Sequence, residues 1–165
     1  MNKVDLRKHI LRLLGENGRL QVSDIAERID VSEKEIEKEI RALENNNIII
    51  GYRAIFDESE LPENAVKAII EVKVRPEREG GFDKIARRLS KFPQVSSLYL
   101  MSGPYDLQLE VKGESLNDVA HFVSSKLATI DGVLSTSTHF LLKKYKESGK
   151  LMQEEEDHER LKITP

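Results

Sequence analysis

The apolar residues of this chain change period once, and that change dictates two folding units. Over residues 4–43 they recur three and four apart: Leu6, Ile10, Leu13 and Leu14, then Ile25, Ala26 and Ile29, then Ile36, Ile40 and Leu43. Each set makes one stripe down the side of an α-helix. From Val66 the spacing drops to two, with Val66, Ala68, Ile70, Val72 and Val74 alternating with mostly polar residues, as a half-buried strand requires. Between the two regimes lies DESELPEN, residues 57–64, polar, acidic and broken by Pro62, which reads as a linker. A chain of 165 residues is long enough for two small domains, each with a modest core.

Start and stop signals sharpen both units. Gly15 and Asn17-Gly18 end the first helix, Ser23 is placed to cap the second, and Ala26 is small, as needed where two helices cross closely. Asp30-Val31 makes a tight turn, and Ser32 with Glu35 forms an S-x-x-E capping box that opens the third helix. Asn45 to Asn47 end it, and IIIGYRAIF predicts two short strands turning at Gly51, the wing. Residues 1–56 therefore read as a winged helix-turn-helix.

In residues 65–146 the first strand is followed by a release at Gly80-Gly81. A helix then carries Phe82, Ile85, Ala86 and Leu89, ending before Pro93. VSSLYLMS and YDLQLEVK are two strands joined at Gly103-Pro104. Ser115 and Asp118 open another helix, with Leu116, Val119, Ala120, Val123 and Leu127 on its buried side, and VLSTSTHFLLKKY is a last strand. The order β-α-β-β-α-β predicts a ferredoxin-like four-stranded antiparallel sheet with both helices on one face, so the chain is α+β. In VSSLYLM, Leu98 and Leu100 point one way and Val95, Tyr99 and Met101 the other. An apolar open face of this kind packs against a second chain, giving at least a homodimer. Residues 147–165, with the acidic block Glu154 to Asp157, read as an exposed acidic C-terminal tail.

Composition narrows the chemistry. With 26 Lys+Arg against 29 Asp+Glu the net charge is -3, so any cationic surface must be local. The absence of cysteine excludes disulfides, thiolate zinc sites and a cysteine nucleophile, and fits a reducing cytoplasm. The amphipathic amino terminus is no secretory signal, and no run approaches the roughly 18 apolar residues of a membrane span, so a soluble cytoplasmic protein with no membrane partner is expected. His9, His121, His139 and His158 have no metal-ligand spacing, and no G-x-S-x-G or phosphate loop occurs. The expectation is a protein with no catalytic or metal site and no cofactor.

A DNA-reading role for the third helix meets an obvious difficulty: Ser32 to Glu44 carries three cations and five glutamates. Taking 100° per residue with Ile36 at zero, Arg41, Lys34 and Lys38 fall at about 140°, 160° and 200°, opposite the buried stripe. Glu33, Glu44 and Glu37 fall at about 60° to 100°, and Glu35 and Glu39 at about 260° to 300°, flanking that stripe. Glu37 is placed to pair with Arg41 at i+4, which either holds the guanidinium in place or partly neutralises it. Lys34, Lys38 and Arg41, with Ser32 at the helix start, are the DNA-binding candidates, and Arg28, Arg53 and Arg19 are candidates for backbone contact. The plain alternative is a solvated helix with charges mixed for solubility.

A second site is expected at the Gly103-Pro104 turn. Gly103 leaves backbone amides open to a ligand carboxylate, Asp106 suits an ammonium group, and Tyr105 suits an apolar part. Met101, Thr136 and Thr138 join the candidate set, the hydroxyl run Ser135 to Thr138 being placed to line the same pocket. The competing reading has Asp106 bonding the turn backbone and Tyr105 simply packing.

GRLQVSDIAERIDVS, the ALENNNIIIGYRA wing and the SGPYD turn, taken in that order, resemble the Lrp/AsnC family of bacterial and archaeal regulators over about Val4 to Tyr145. The resemblance implies transcriptional regulation through double-stranded DNA, dimers assembling further through the second domain, and a small effector, often an amino acid, bound there. Many relatives have glycine where this chain has Asp30 and Asn47, both of which tolerate the turn conformations involved, and relatives place hydroxyl and arginine residues where this third helix has glutamates. Two alternatives follow. Sirohaem decarboxylases resemble these regulators and use histidine and arginine on a tetrapyrrole, for which His121 or His139 with Arg87 or Arg88 are the candidates. The other is a ligand-binding oligomer whose winged helix no longer binds DNA.

Overall fold

The computed structural model describes residues 3–57, 65–76 and 81–152. Its Cα packing divides the chain into two compact units, residues 1–56 and 57–165. In the first, α1 (Lys3–Glu16), α2 (Val22–Ile29) and α3 (Glu33–Asn45) close around Leu6, Ile10, Leu13, Ile25, Ala26, Ile36 and Leu43. Ile10, Ile25 and Ile36 are wholly buried, each side chain contributing about 1.5–3 kcal/mol of hydrophobic stabilisation. Asp30 ends α2 in the left-handed region at φ 56°, and Ser32 caps α3 with its hydroxyl accepting the Glu35 N–H at 3.4 Å. At α2 the expected cap moves: Gln21 is the N-cap, its N–H donating to Asp24 at 3.4 Å, and Ser23 lies inside the first turn.

The predicted wing does not form as a hairpin. Residues 48–57 contain no strand. The N–H groups of Ile48 and Ile49 instead donate to the Leu43 carbonyl at 2.9 and 3.2 Å, prolonging the end of α3. Tyr52 turns back, its hydroxyl donating to Glu44 at 2.9 Å and its ring lying over Gly18. A lone two-stranded ribbon is marginal in water, and here the chain finds partners on the helices instead. Ile49 packs against the helical core, while Ile48, Ile50, Ile55 and Phe56 stay outside, Ile50 at 92% exposure.

In the second unit, β1 (Val66–Val74), α4 (Asp83–Leu89), β2 (Val95–Leu100), β3 (Leu107–Gly113), α5 (Leu116–Phe122) and β4 (Val133–Phe140) follow the predicted order. The sheet runs β2-β3-β1-β4, antiparallel throughout, the ferredoxin-like topology. α5 continues into a π-helical turn, Val123–Leu127. Ala68, Ile70, Val72 and Val74 of β1, with Leu107, Leu109 and Val111 of β3, are covered by Ile85, Leu89, Val119, Phe122 and Leu127, so both helices lie on one face. Phe92 meets Phe122 edge to face at 5.4 Å, adding an aromatic contact to that layer.

The other face is not the apolar surface the sequence suggested. A bulge between Val95 and Ser97 sets Val95 opposite Val111, so it joins the helix-covered side together with Leu98 and Leu100. The open face is left with Ile69 and Tyr99 among Ser97, Glu71, Gln108, Glu110, Ser137 and His139. Exposed apolar groups gather instead beyond β4, at Leu141, Leu142 and Tyr145, with Leu142 96% exposed. The start of the expected tail is also folded: β5 (Lys146–Glu147) and β6 (Lys150–Leu151) pair as a hairpin, and the acidic block at 154–157 lies outside the described residues.

Gly132, the turn into β4, has φ +91°, and a Cβ there would stand 2.7 Å from Ile85 Cδ1. Gly132→Ala is therefore expected to destabilise the protein by more than about 1 kcal/mol, read as a lowered urea midpoint at unchanged slope.

Candidate nucleic-acid interface and effector turn

The roll of α3 is set by Ile36 and Leu43, 0% and 1% exposed, with Ile40 partly covered. Lys34, Lys38 and Arg41 all lie exposed on the opposite side and line one shallow depression of about 410 Å³ with Glu37, Ala42 and Asn45. The wheel thus places the three cations together with Glu37 beside Arg41, and one glutamate, Glu39, departs from it. Glu37 stands within the cationic ridge, its Oε1 accepting from Arg41 Nη2 at 2.6 Å. Glu39 is buried at 6% exposure and accepts from Arg7 Nε, tying α3 to α1. Ser32 is occupied as the N-cap, Arg28 is exposed at the end of α2, and Arg53 lies in the irregular segment after α3. Arg19 is exposed between α1 and α2, its N–H donating to Asn17 Oδ1 at 3.0 Å. Burial, and then the Glu44 carboxylate that accepts its hydroxyl, push the Tyr52 phenol above its ordinary pKa and keep it protonated.

At the other candidate site, the Met101 N–H donates to the Asp106 carbonyl at 2.8 Å and closes the turn between β2 and β3. Gly103 has φ +144° with open space where a side chain would stand. Asp106 is engaged by its own protein: Oδ2 accepts the Val74 N–H at 2.9 Å, Oδ1 accepts from Lys73 Nζ at 3.1 Å, and its own N–H donates to the Val72 carbonyl at 3.1 Å. The Val74 N–H, outweighing partial burial and joined by Lys73, holds the Asp106 carboxyl below its usual range. The carboxylate fastens the turn to the end of β1, which is the structural role weighed against ammonium binding.

The hydroxyl run of β4 is divided by the pleat. Thr136 and Thr138 stand opposite Val72 and Ile70, on the helix-covered side, whereas Ser135 and Ser137 stand opposite Lys73 and Glu71 on the open face. Asp106 reaches Lys73, so Ser135 and not Thr136 or Thr138 shares its face. The four hydroxyls do not line one pocket.

The histidine and arginine candidates for tetrapyrrole chemistry are not brought together. His139 lies on the open face, 3.5 Å from Glu71, while Arg87 and Arg88 are on α4, on the opposite side of the sheet. His121 lines a depression with Gln94, Lys112 and Lys126 that neither arginine enters. His9 is bonded to the Asp5 carbonyl within α1, and His158 lies outside the described residues.

This arrangement of units is met in known proteins. Residues 1–44 match the AsnC-type helix-turn-helix domain and residues 67–151 the Lrp/AsnC ligand binding domain. The chain belongs to the Lrp/AsnC family. It is 42% identical, over the full length of both chains, to the uncharacterised HTH-type transcriptional regulator YugG of Bacillus subtilis. To the HTH-type transcriptional regulator LrpA of Pyrococcus horikoshii it is 32% identical, covering 84% of this chain and 96% of that one. Among solved structures it resembles a Neisseria meningitidis transcriptional regulator determined as a complex with L-Met. That likeness has a TM-score of 0.65 at 28% identity and covers 89% and 93% of the two chains. The protein is thus a transcriptional regulator of the Lrp/AsnC type, with a helix-turn-helix unit followed by a ligand-binding unit.

In this Lrp/AsnC chain Asp30 and Asn47 adopt φ 56° and 54°, the left-handed conformation that the two turns demand. Sequence reasoning missed the Arg7–Glu39 clamp. The two residues are 32 positions apart, and helical period alone puts Glu39 on the edge of the stripe without showing that α1 covers it.

Two outcomes are expected. Arg7→Ala strands the Glu39 carboxylate and should cost about 2–3 kcal/mol in urea unfolding, below the cost for a fully buried pair because Arg7 keeps a third of its side-chain surface exposed. Asp106→Ala leaves the Val74 N–H unanswered and should cost about 1.5–3 kcal/mol at neutral pH. Since the folded Asp106 carboxyl titrates below its unfolded value, its contribution is complete above the unfolded pKa of about 3.9 and is lost as pH falls through the folded one. Wild type and Asp106→Ala should therefore converge in stability below about pH 3.9.

Proposed function

We propose that α3 is the helix by which this regulator meets double-stranded DNA, with Lys34, Lys38 and Arg41 as the contacting cations. The observation that carries the reading is the convergence of these three side chains on the exposed side of a helix whose other side is sealed by Ile36 and Leu43. A local positive strip on a chain of net charge -3 attracts phosphate at short range, while the surrounding glutamates suppress loose binding elsewhere, so affinity falls steeply with salt. Arg28 and Arg53 contribute backbone contacts.

The second unit takes a small effector of the amino-acid class at the β2–β3 turn. Backbone N–H groups at the Gly103 turn donate to its carboxylate, with Tyr105 and Met101 beside the apolar part; the Neisseria relative's complex with L-Met supports this class. Asp106 holds the turn in shape. Self-association uses the exposed apolar residues beyond β4, Leu141, Leu142 and Tyr145, together with the open sheet face. The protein acts by binding and not by catalysis, in the cytoplasm; among the described residues no helix is long and apolar enough to cross a membrane.

The test is selection of genomic duplex fragments by the full chain, repeated with amino acids present, methionine among them. Wild type should retain a discrete set of fragments, and at least one amino acid should change that set or its affinity. Lys34→Ala, Lys38→Ala and Arg41→Ala combined should lower affinity by two orders of magnitude or more and flatten the dependence of log K on log salt by about two contacts' worth or more, with melting unchanged. Retained fragments in that triple variant sink the assignment.

A further inference from the structure

Glu37 poses a problem that the DNA reading alone does not solve. It lines the same depression as the three cations, next to Arg41, and its side chain is 53% exposed while that of Arg41 is 70% exposed. A surface ion pair this exposed adds little to folding, and a carboxylate placed among the groups that meet phosphate weakens every sequence-independent contact. On a duplex such a group gains a favourable contact where the opposing surface offers a hydrogen-bond donor.

The major groove offers one in a specific place. Read across a G·C pair, the base edges present acceptor, acceptor, donor: guanine N7, guanine O6, then the cytosine N4 amino group. Across A·T they present acceptor, donor, acceptor, and the reversed pairs read in the opposite order. Arg41 and Glu37 present the matching series. One hydrogen of Nη2 is held by Glu37 Oε1, leaving its other hydrogen and those of Nη1 for two acceptors, and Glu37 Oε2 takes no hydrogen bond among the described residues. The i+4 pairing sets both groups one turn apart on the same exposed strip, so that together they present the order donor, donor, acceptor.

We propose that Glu37 and Arg41 read one G·C base pair as a unit, Glu37 being a specificity residue that lowers total affinity and sharpens the choice of site. This rests on α3 being the DNA-contacting helix. A thymine O4 brought opposite Glu37 meets a carboxylate with no proton to share, and an adenine amino group brought opposite Arg41 meets a donor with another donor; either mismatch leaves polar groups unanswered. Lys34 and Lys38 supply the phosphate attraction that tolerates the acid's presence.

The experiment is binding-site selection from a random duplex pool with the full-length wild type and with Glu37→Gln, followed by titration of each protein against the selected duplex, the same duplex with the invariant G·C pair changed to A·T, and an unrelated duplex. Wild type is expected to select one oriented G·C pair per half-site and to lose about tenfold or more in affinity on its change to A·T. Glu37→Gln, an exposed and nearly isosteric change, should melt as wild type does, bind the unrelated duplex several-fold more tightly, and lose most of its preference at that pair. Duplex binding by wild type with the same preference retained in Glu37→Gln, and no gain on unrelated duplex, overturns the inference while leaving the regulator reading standing. Wild type that binds no duplex removes the DNA reading and this one with it.

Discussion

Burial of Ile36 and Leu43 against α1 and α2 fixes the roll of α3 about its own axis, and that roll decides what the first unit can show to a partner. Rotation by a single residue, about 100°, would bring charged side chains into the core and expose isoleucine, at a cost of several kcal/mol in lost burial alone. The Arg7–Glu39 pair adds direction to this packing. A carboxylate on the rim of the stripe is admitted because a guanidinium from α1 answers it, and this orientation of α3 puts the two within reach. The cationic ridge is therefore the residue of a packing solution: what cannot go inside, and is not drawn to α1, is left facing out.

Glutamate serves three different ends on this one helix. Glu39 is part of the clamp, Glu37 is held to Arg41 within the exposed ridge, and Glu44 accepts the Tyr52 hydroxyl where the chain turns back over the end of α3. The net charge of the segment conceals this division. Charge counted along the sequence predicts repulsion from DNA; charge placed on the helix surface gives a positive strip with a single acid set inside it.

In the second unit the same economy of polar groups operates around a sheet. Asp106 ties the β2–β3 turn to the end of β1, so the turn that carries Gly103 is anchored at its base. Its depressed pKa and its role in shape share their causes, the Val74 N–H first and Lys73 beside it. Polar groups on the open face pair along and across strands, Ser97 with Glu110 at 2.8 Å and Ser137 with His139 at 3.1 Å, giving a surface more polar than an alternating-residue count suggests.

The sequence alone determined the order of the helices and of the four sheet strands, the two units with their cores, the cap at Ser32, the left-handed turn at Asp30 and the outward placement of Lys34, Lys38 and Arg41, because each follows from local period or local backbone chemistry. Tertiary structure decided the rest. Whether Glu39 faces water depends on α1, 32 residues away at Arg7; whether Val95 shares a face with Tyr99 depends on a bulge set by pairing with β3; whether Thr136 meets Asp106 depends on strand register. Whether residues 48–56 make a wing depends on which partners the fold brings to them. Period is written in neighbouring residues and can be read from them, but pairing between distant segments is fixed only when the chain has closed and each buried polar group has found its answer.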